Sequence, residues 1–499
     1  MAGITTAADL EKTHSDYDLY LDDWNFYIRS YLGGSHYRRG GYLLQHPFES
    51  DKNFIRRKKI AYFYNYCAPV VDILTSYITK QEPIREYGQL SSEAVPPRQP
   101  ITLFDAFWWD CDLEKSNFNQ FMRDAQRYAG IYGRVSIIVD KPNVLATTKL
   151  DAITLGARPY LSLVTPENLI DWEFIKLPTG RKVLDTIRIR EAKDTYRIWT
   201  REMWQLWKVV DGRAQLQSMG YHPLGEIPIV NLYSKKMHTP MIGVSDLEDI
   251  ADINKNIYSR CSSADEIIDN TAFPMLAMAM DKGAAVTTGE EVEVGPTNIL
   301  EFDPESVNGK PFWLEAPHSS LVEIREWIQQ NANEIARIAK MGGMRNTETS
   351  VQPWSMVAIE AVERQLFSTC SEKATNAEQA ELDILHLYSK WEGEDFTGDI
   401  KYPQEFAIKD LTISLQNAIL AGTAKIESLI FEKERQKKVV NAVLPGLEEA
   451  TREKIYAEIE TLTEIIKPTP PPMAPQNTPP SNDPSASGGV QPDGGMGAA

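Results

Sequence analysis

Two stretches of the chain repeat apolar residues at steps of three or four, the spacing of a helix with one buried face. The first runs Leu247, Ile250, Ile253, Ile257, Cys261, Ala264 and Ile268, and Ser245 followed by Glu248 predicts a capping box at its start. The second runs Leu321, Ile324, Ile328, Ala332, Ile335 and Ile338, opens on Ser320 with Glu323, and predicts a stop at Gly342-Gly343. At the standard helical rise each spans roughly 35–40 Å. Both stripes are narrow and the other faces are polar. A lone chain would therefore expose much polar surface, whereas in a ring each stripe has a neighbour to face. Between the helices, 275–317 reads as a small strand-rich module: MLAMAM, EEVEVG, NILEFD and PFWLEA, separated by Gly and Pro.

Elsewhere the pattern predicts an α+β protein, mainly helical. The stretch 54–78 has helical periodicity with a kink expected at Pro69. A polar, Pro-rich loop follows at 91–100, then an amphipathic helix over 113–133 ending at glycine, then a strand at 134–142. From 158 to 236 short β-rich runs alternate with turn residues. A polar loop at 342–353 leads through Pro353 into a long helix over 354–391, where the small, polar run KATNAEQAE (373–381) suggests a bend. A short strand at 406–413 and helices ending near Ile466 complete the folded part. The last segment, 467–499, holds nine prolines and no aromatic residue, the composition of a disordered tail.

The net charge of −18 over 499 residues rules out bulk attraction to nucleic acid. The four cysteines, Cys67, Cys111, Cys261 and Cys370, are scattered and predict small buried apolar residues, not disulfides or zinc ligands. No run is long and apolar enough for a membrane span, and the first residues lack a basic and apolar leader, so synthesis in a cytoplasm is expected. Catalytic signals are sparse. Asn308-Gly309-Lys310 lacks the rest of a phosphate loop, and the seven histidines show no ligand spacing. Asp110 and Asp112 read as an acidic helix start before 113–133 more readily than as metal ligands. Glu290, Glu291 and Glu293 read as a solvated strand face or a docking face for a basic partner. Arg56-Arg57-Lys58-Lys59 reads as a solvated face or a salt-bridge row between subunits, more than a nucleic-acid patch. The many aromatic residues of the first 230 positions read as core.

In order, several phrases resemble the portal (head-to-tail connector) proteins of tailed bacteriophages. YLGGSHYRRGGYLL with RRKKIAYFYNYCAPVVDILTSYI resembles that family's opening, and YAGIYGRVSIIVDKP its glycine, buried strand, then Asp and Pro. YLSLVTPENLIDWEF resembles the start of its sheet. HPLGEIPIVNLYSKK followed by GVSDLEDIADINKNIYSRCSSADEI resembles its passage into the stem. The resemblance covers roughly residues 20–465 and implies a homo-oligomeric ring of twelve subunits with wing, stem, clip and crown. The wing would be 1–242 and 354–405, the stem 243–274 and 318–341, the clip 275–317, the tunnel loop 342–353 and the crown 406–466.

The resemblance further implies passage of double-stranded DNA through a channel lined by Met344, Arg345, Asn346, Thr347, Glu348 and Thr349, with Arg337 and Lys340 beside them. Glu290, Glu291, Glu293, Phe302 and Trp313 of the clip would dock the terminase large subunit and later the tail adaptor. Scaffolding and major capsid proteins are the remaining implied partners. Such a protein has no catalytic residue, metal or cofactor, assembles in the host cytoplasm and resides at one capsid vertex of the virion. The alternatives are a cytosolic oligomeric scaffold unrelated to DNA and a metal-dependent nuclease using Asp110.

Overall fold

Short polar caps open most of the helices that begin this chain. In α1 (Ala7–Glu11) the side chains of Thr6 and Asp9 close a capping box. His14 caps α2 (Ser15–Leu32), its Nδ1 accepting from the Asp16 N–H at 3.1 Å. There follow α3 (Gly34–Arg39), α4 (Asp51–Ile60) with Ser50 as cap, and α5 (Cys67–Ile78). Then come β1 (Ile84–Glu86), α6 (Leu103–Trp109) with a Thr102–Asp105 capping box, and α7 (Phe118–Tyr132) capped by Asn117. The computed structural model describes residues 6–142, 148, 151, 155, 157–272, 275–279, 299–302, 312–314, 319–341, 356–404, 406, 428–443 and 449–461.

Two expectations for this region need correction. The chain is not one helix kinked at Pro69. It breaks over 61–66, and Pro69 falls in the first turn of α5, where a missing N–H is harmless. Asn65 Oδ1 instead serves the free donors there, accepting from Cys67 and Ala68 at 3.1 and 2.9 Å. Asp110 and Asp112 do not open α7; they brace the loop before it. Asp112 Oδ1 accepts from the N–H groups of Glu114 and Ser116 at 2.9 and 3.1 Å, and Asp110 pairs with Arg158 at 3.0 Å.

The strand-rich stretch holds β2 (Arg134–Asp140), β3 (Tyr160–Val164), β4 (Leu169–Lys176), β5 (Lys182–Ala192), β6 (Thr195–Thr200), β7 (Met203–Val210), β8 (Arg213–Tyr221) and β9 (Ile229–Tyr233). Strands β4 to β8 form an antiparallel meander in sequence order. β2 lies between β3 and β9 in a second antiparallel sheet and is buried at every position, as its continuous apolar run VSIIV requires. The hairpin β10 (Lys235–Lys236) and β11 (Gly243–Val244) leads into α8 (Glu248–Ala272). Beyond it β12 (Met275–Ala279) is the middle strand between β13 (Ile299–Phe302), parallel, and β14 (Phe312–Leu314), antiparallel. The chain returns through α9 (Ser319–Ile338) into α10 (Met356–Glu392), and β15 (Asp399–Lys401) pairs antiparallel with β1.

The α10 segment is one helix without a break in its assignment through 373–381. Its small residues Ala374, Ala377 and Ala380 are buried, which lets the helix lie close on the sheet. The polar residues there are partnered. Glu381 is fully buried, accepts from the Tyr402 hydroxyl at 2.8 Å and holds the Arg85 guanidinium. Most of the expected aromatic core is present, with Trp24, Tyr37, Trp108, Trp172 and Trp199 all buried, and the four cysteines are buried and unpaired.

Residues 1–407 form one compact unit and 408–499 another. In the second, α11 (Leu429–Val443) and α12 (Glu449–Glu460) are joined by the ion pair of Lys437 with Glu460 at 2.6 Å. The strand expected over 406–413, beyond Phe406, and the Pro-rich tail lie outside the described residues.

Candidate functional site

The candidate site is built on the hairpin of α8 and α9, which belongs to the unit 1–407. Its root is defined by a close backbone crossing. Gly133 ends α7 in the left-handed region (φ 84), and a Cβ on it would lie 2.3 Å from the Gly243 carbonyl oxygen. A Cβ on Gly243 would lie 2.2 Å from the Gly133 oxygen, so only two glycines permit the contact. The crossing brings Ser245 onto α7, where its hydroxyl donates to the Ile131 carbonyl at 2.5 Å and accepts from the Leu247 N–H at 3.0 Å. Ser245 is therefore not the capping-box residue its spacing suggests, and α8 starts at Glu248. Ser320 likewise lies inside α9, which begins at Ser319.

Behind the crossing sits a buried ion pair. Lys373 Nζ of α10 reaches Asp246 Oδ1 and Oδ2 at 2.7 and 2.8 Å, and their side chains are 4% and 13% exposed. The Ser234 hydroxyl bonds Asp246 at 2.7 Å and also contacts Lys373, while Asn376 Nδ2 donates to the Ser234 carbonyl at 3.2 Å. Ser234 N–H in turn donates to Gly133 O at 2.9 Å, so the end of β9, α7, α8 and α10 meet in one polar knot whose hydrogen bonds are largely filled.

Farther along, α8 is gripped from the side. Asn254, 1% exposed, accepts from Tyr66 N–H at 3.0 Å and donates to Tyr64 O at 3.1 Å. Arg57, 4% exposed, forks onto Glu49 at 2.8 and 2.6 Å and donates to Leu44 O at 2.7 Å and Ser262 Oγ at 3.5 Å. That hydrogen bond holds the Glu49 carboxyl below the usual carboxylate range. Arg56 pairs with Asp269 at 3.4 Å. Arg56, Lys58 and Lys59 are exposed, as expected of a solvated face, whereas Arg57 is buried and held within the chain.

The apolar stripes, too, are largely satisfied internally. Leu247 just before α8, Ile250, Ile257 and Cys261 within it and Ala332 and Ile335 of α9 are buried, and the Arg260 guanidinium stacks 5.5 Å from the Trp327 ring centre. Exposed apolar groups remain toward the far end, at Ile268 and Val322. The expectation that each whole stripe awaits a neighbour is corrected accordingly.

Of the residues expected to line a channel, Arg337 and Lys340 are described. Both are exposed at the returning end of α9. Arg337 pairs with Glu334 three residues earlier, and Lys340 Nζ donates to Thr369 Oγ1 at 2.6 Å. The helix does not run on to Gly342-Gly343. Lys340 itself takes the left-handed conformation (φ 59), and Met341 N–H returns to Ala336 O at 2.8 Å, a Schellman ending without glycine. Met344, Arg345, Asn346, Thr347, Glu348 and Thr349 lie outside the described residues, as do Glu290, Glu291 and Glu293. Phe302 and Trp313 occupy β13 and β14, at register positions opposite Ala279 and Leu276 of the shared middle strand.

Sequence reasoning missed Lys373, Asp246 and Asn254. The one available signal was a lysine and an asparagine set among alanines at helical spacing on α10. Among the described residues no group of His, Cys, Asp and Glu is placed to hold a metal, and no helix is long and apolar enough to cross a membrane.

The chain is thus an α+β protein, its helical hairpin rooted in a mixed core. No family model and no curated protein sequence matches it. Similar solved structures include a chain from the neck of an empty GTA particle computed with C6 symmetry, 13% identical, TM-score 0.44, covering 74% of this chain and 88% of that one. Another is from the virion of a native gene transfer agent (GTA) particle, 13% identical, TM-score 0.42, covering 76% and 89%. A third is from the neck of a native GTA particle computed with C12 symmetry, 12% identical, TM-score 0.38, covering 78% and 88%. Likeness at this level assigns no activity.

Proposed function

We propose that this chain is a portal subunit of a phage-like particle. Copies of it form a ring at one capsid vertex, through which double-stranded DNA is packaged and later ejected. The ring docks a terminase and then a tail adaptor, and meets scaffolding and major capsid proteins during assembly. The order of sequence phrases leads to this reading, and the rooted hairpin carries it. A helix pair anchored by a glycine crossing and a buried ion pair, with polar flanks, is a strut suited to standing beside identical struts around an axis.

Its charge fits passage better than binding. The segment 245–272 carries seven acidic and two basic residues, and although Asp246 and Asp269 are paired within the chain, it offers phosphates no cationic surface. A wall of cations would grip DNA with strong, salt-dependent affinity and stall its movement. In this reading the loop 342–353 with Arg345 lines the narrowest part, and β12 to β14 with the segments between them form the docking tip. The chain works without catalysis.

Negative-stain imaging of the purified full chain tests the proposal: rings with a central hole are expected. A compact monomer without a pore under assembly conditions overturns it. Within rings, Arg345→Glu should slow DNA packaging; unchanged packaging in both Arg345→Ala and Arg345→Glu removes Arg345 from the mechanism.

A further inference from the structure

Away from the hairpin, the described residues of this acidic chain include a strongly cationic cleft. A cavity of about 670 Å³ is lined by Arg181, Lys182, Arg201, Lys236 and Lys390 against a single carboxylate, Glu226. Glu226 is already paired with Lys390, and Arg201 Nε donates to the Gly225 carbonyl at 3.1 Å. Arg181, Lys182 and Lys236 are exposed, and among the described residues no carboxylate pairs with them. With Lys390 offset by Glu226, four cations around one cavity in a chain of net charge −18 favour an anionic occupant.

The same unit carries a matching surplus of the opposite sign. Asp22 and Asp23 of α2 and Glu248, Asp249 and Asp252 of α8 are all exposed and together form an acidic face of five carboxylates, with Lys235 near Glu248 as a partial offset. Partial burial, then the charges of Asp22 and Asp252, raise the Asp23 carboxyl, so these groups feel one another across the two helices. Partial burial, then Asp249 and Asp23, do the same to Glu248, opposed in part by Lys235. The helix dipole accounts for Glu248 and Asp249 in the first turn of α8. It does not account for Asp22, Asp23 or Asp252, which lie beyond any first turn. The grouping is not arranged to hold a metal.

We propose that the acidic α2–α8 face of one copy of this chain docks into the cationic cleft of a second copy. The two faces are unlike, so the contact is head-to-tail and repeats from copy to copy, the kind of interface that closes into a ring. This deepens the ring reading, on which the closure rests. Charge complementarity of this kind fixes partner choice and register and speeds encounter, with screening over about 8 Å at physiological salt.

The test uses the full chain and mass photometry over a series of salt concentrations. Two variants each reverse one face: Arg181→Glu with Lys236→Glu in the cleft, and Asp23→Lys with Asp249→Lys on the acidic face. All four positions are exposed, and far-ultraviolet dichroism with thermal midpoints confirms folding. Each variant alone should assemble at least about tenfold more weakly than the parent at physiological salt. An equimolar mixture should recover assembly, since reversed cleft meets reversed face and native cleft meets native face. The inference is overturned if either variant assembles like the parent, or if the folded mixture does not recover. In those cases a parent that still forms rings leaves the ring reading standing. A parent that is monomeric throughout overturns both.

Discussion

Replacing Lys373 by methionine removes the ammonium from the hairpin root while keeping an unbranched side chain of similar length. Asp246 is then left as an unpaired carboxylate, still bonded to Ser234 but without its counter-charge, in a site where the two partners are 13% and 4% exposed. Breaking a buried pair from one side costs about 3–5 kcal/mol. The unit that must unfold comprises residues 1–407. At about 2.1 cal/mol/K per residue its unfolding entropy is about 0.85 kcal/mol/K. The loss therefore corresponds to a fall of roughly 3.5–6 °C in melting temperature, read by differential scanning calorimetry of the full chain. The double variant Lys373→Met with Asp246→Leu has no charge left to strand, so it should recover most of that fall, less about 1 kcal/mol for the acceptor lost to Ser234. Amide exchange over 245–260 should quicken in the single variant and return toward the parent in the double. A single variant melting within about 1 °C of the parent would refute the reasoning, as would a double variant whose loss equals the sum of the two singles.

Three further outcomes follow from the same geometry. Gly133 and Gly180 have nearly equal left-handed φ values, 84 and 85, but a Cβ on Gly133 meets a carbonyl oxygen at 2.3 Å while one on Gly180 meets nothing within 4 Å. Gly180→Ala should cost about 1–2 kcal/mol and Gly133→Ala distinctly more; equal losses of soluble yield and melting temperature would disprove the crossing. Arg57→Lys keeps the charge but not the fork that joins Glu49, Leu44 and Ser262, so it should destabilise by about 2–3 kcal/mol and speed amide exchange over 42–50, and parent-like exchange would count against the clamp. His222 is buried with Nε2 on the Thr200 carbonyl at 3.0 Å, and burial lowers its pKa below the ordinary value. The unfolded chain then binds more protons as pH falls below about 6.5, so this contribution is full above that pH and is lost as pH drops toward the folded pKa. His222→Gln should flatten that part of a urea-midpoint profile between about pH 7 and 5, and an unchanged slope would exclude His222 as its source.

Sequence pattern captured the elements better than it captured their joints. The run VSIIV and the alternation from 158 to 236 are local signals, and both sheets followed from them. The root was not legible because its partners are remote: Lys373 and Asp246 are 127 positions apart. A run such as KATNAEQAE reads the same whether its alanines are small because the helix bends or because a sheet presses on them. The serine at 245 matches a capping motif in spacing, yet its hydroxyl is spent on Ile131, since the glycine crossing brings α7 within reach. Lys340 ends α9 where Gly342 was expected, because burying Met341 at that turn outweighs the cost, about 1–2 kcal/mol, of a left-handed non-glycine residue. In each case a tertiary contact overrode a sound local preference.

The fate of the cations along α8 gives the net charge a physical meaning that composition alone lacks. Arg56 and Arg57 are held by Asp269 and Glu49, Arg260 lies over Trp327, and Lys255 lies 5.6 Å from the Phe26 ring centre. These positive groups are engaged within the chain, so the carboxylates they leave unpaired set the potential around the helix. That potential decays within about 8 Å in physiological salt. On an open surface it would do little to a passing polyanion, and it becomes effective only where walls close in from several sides. An acidic helix whose neighbouring cations are spent within the chain therefore acts only at close quarters, where another surface of a ring comes within a few ångströms of it.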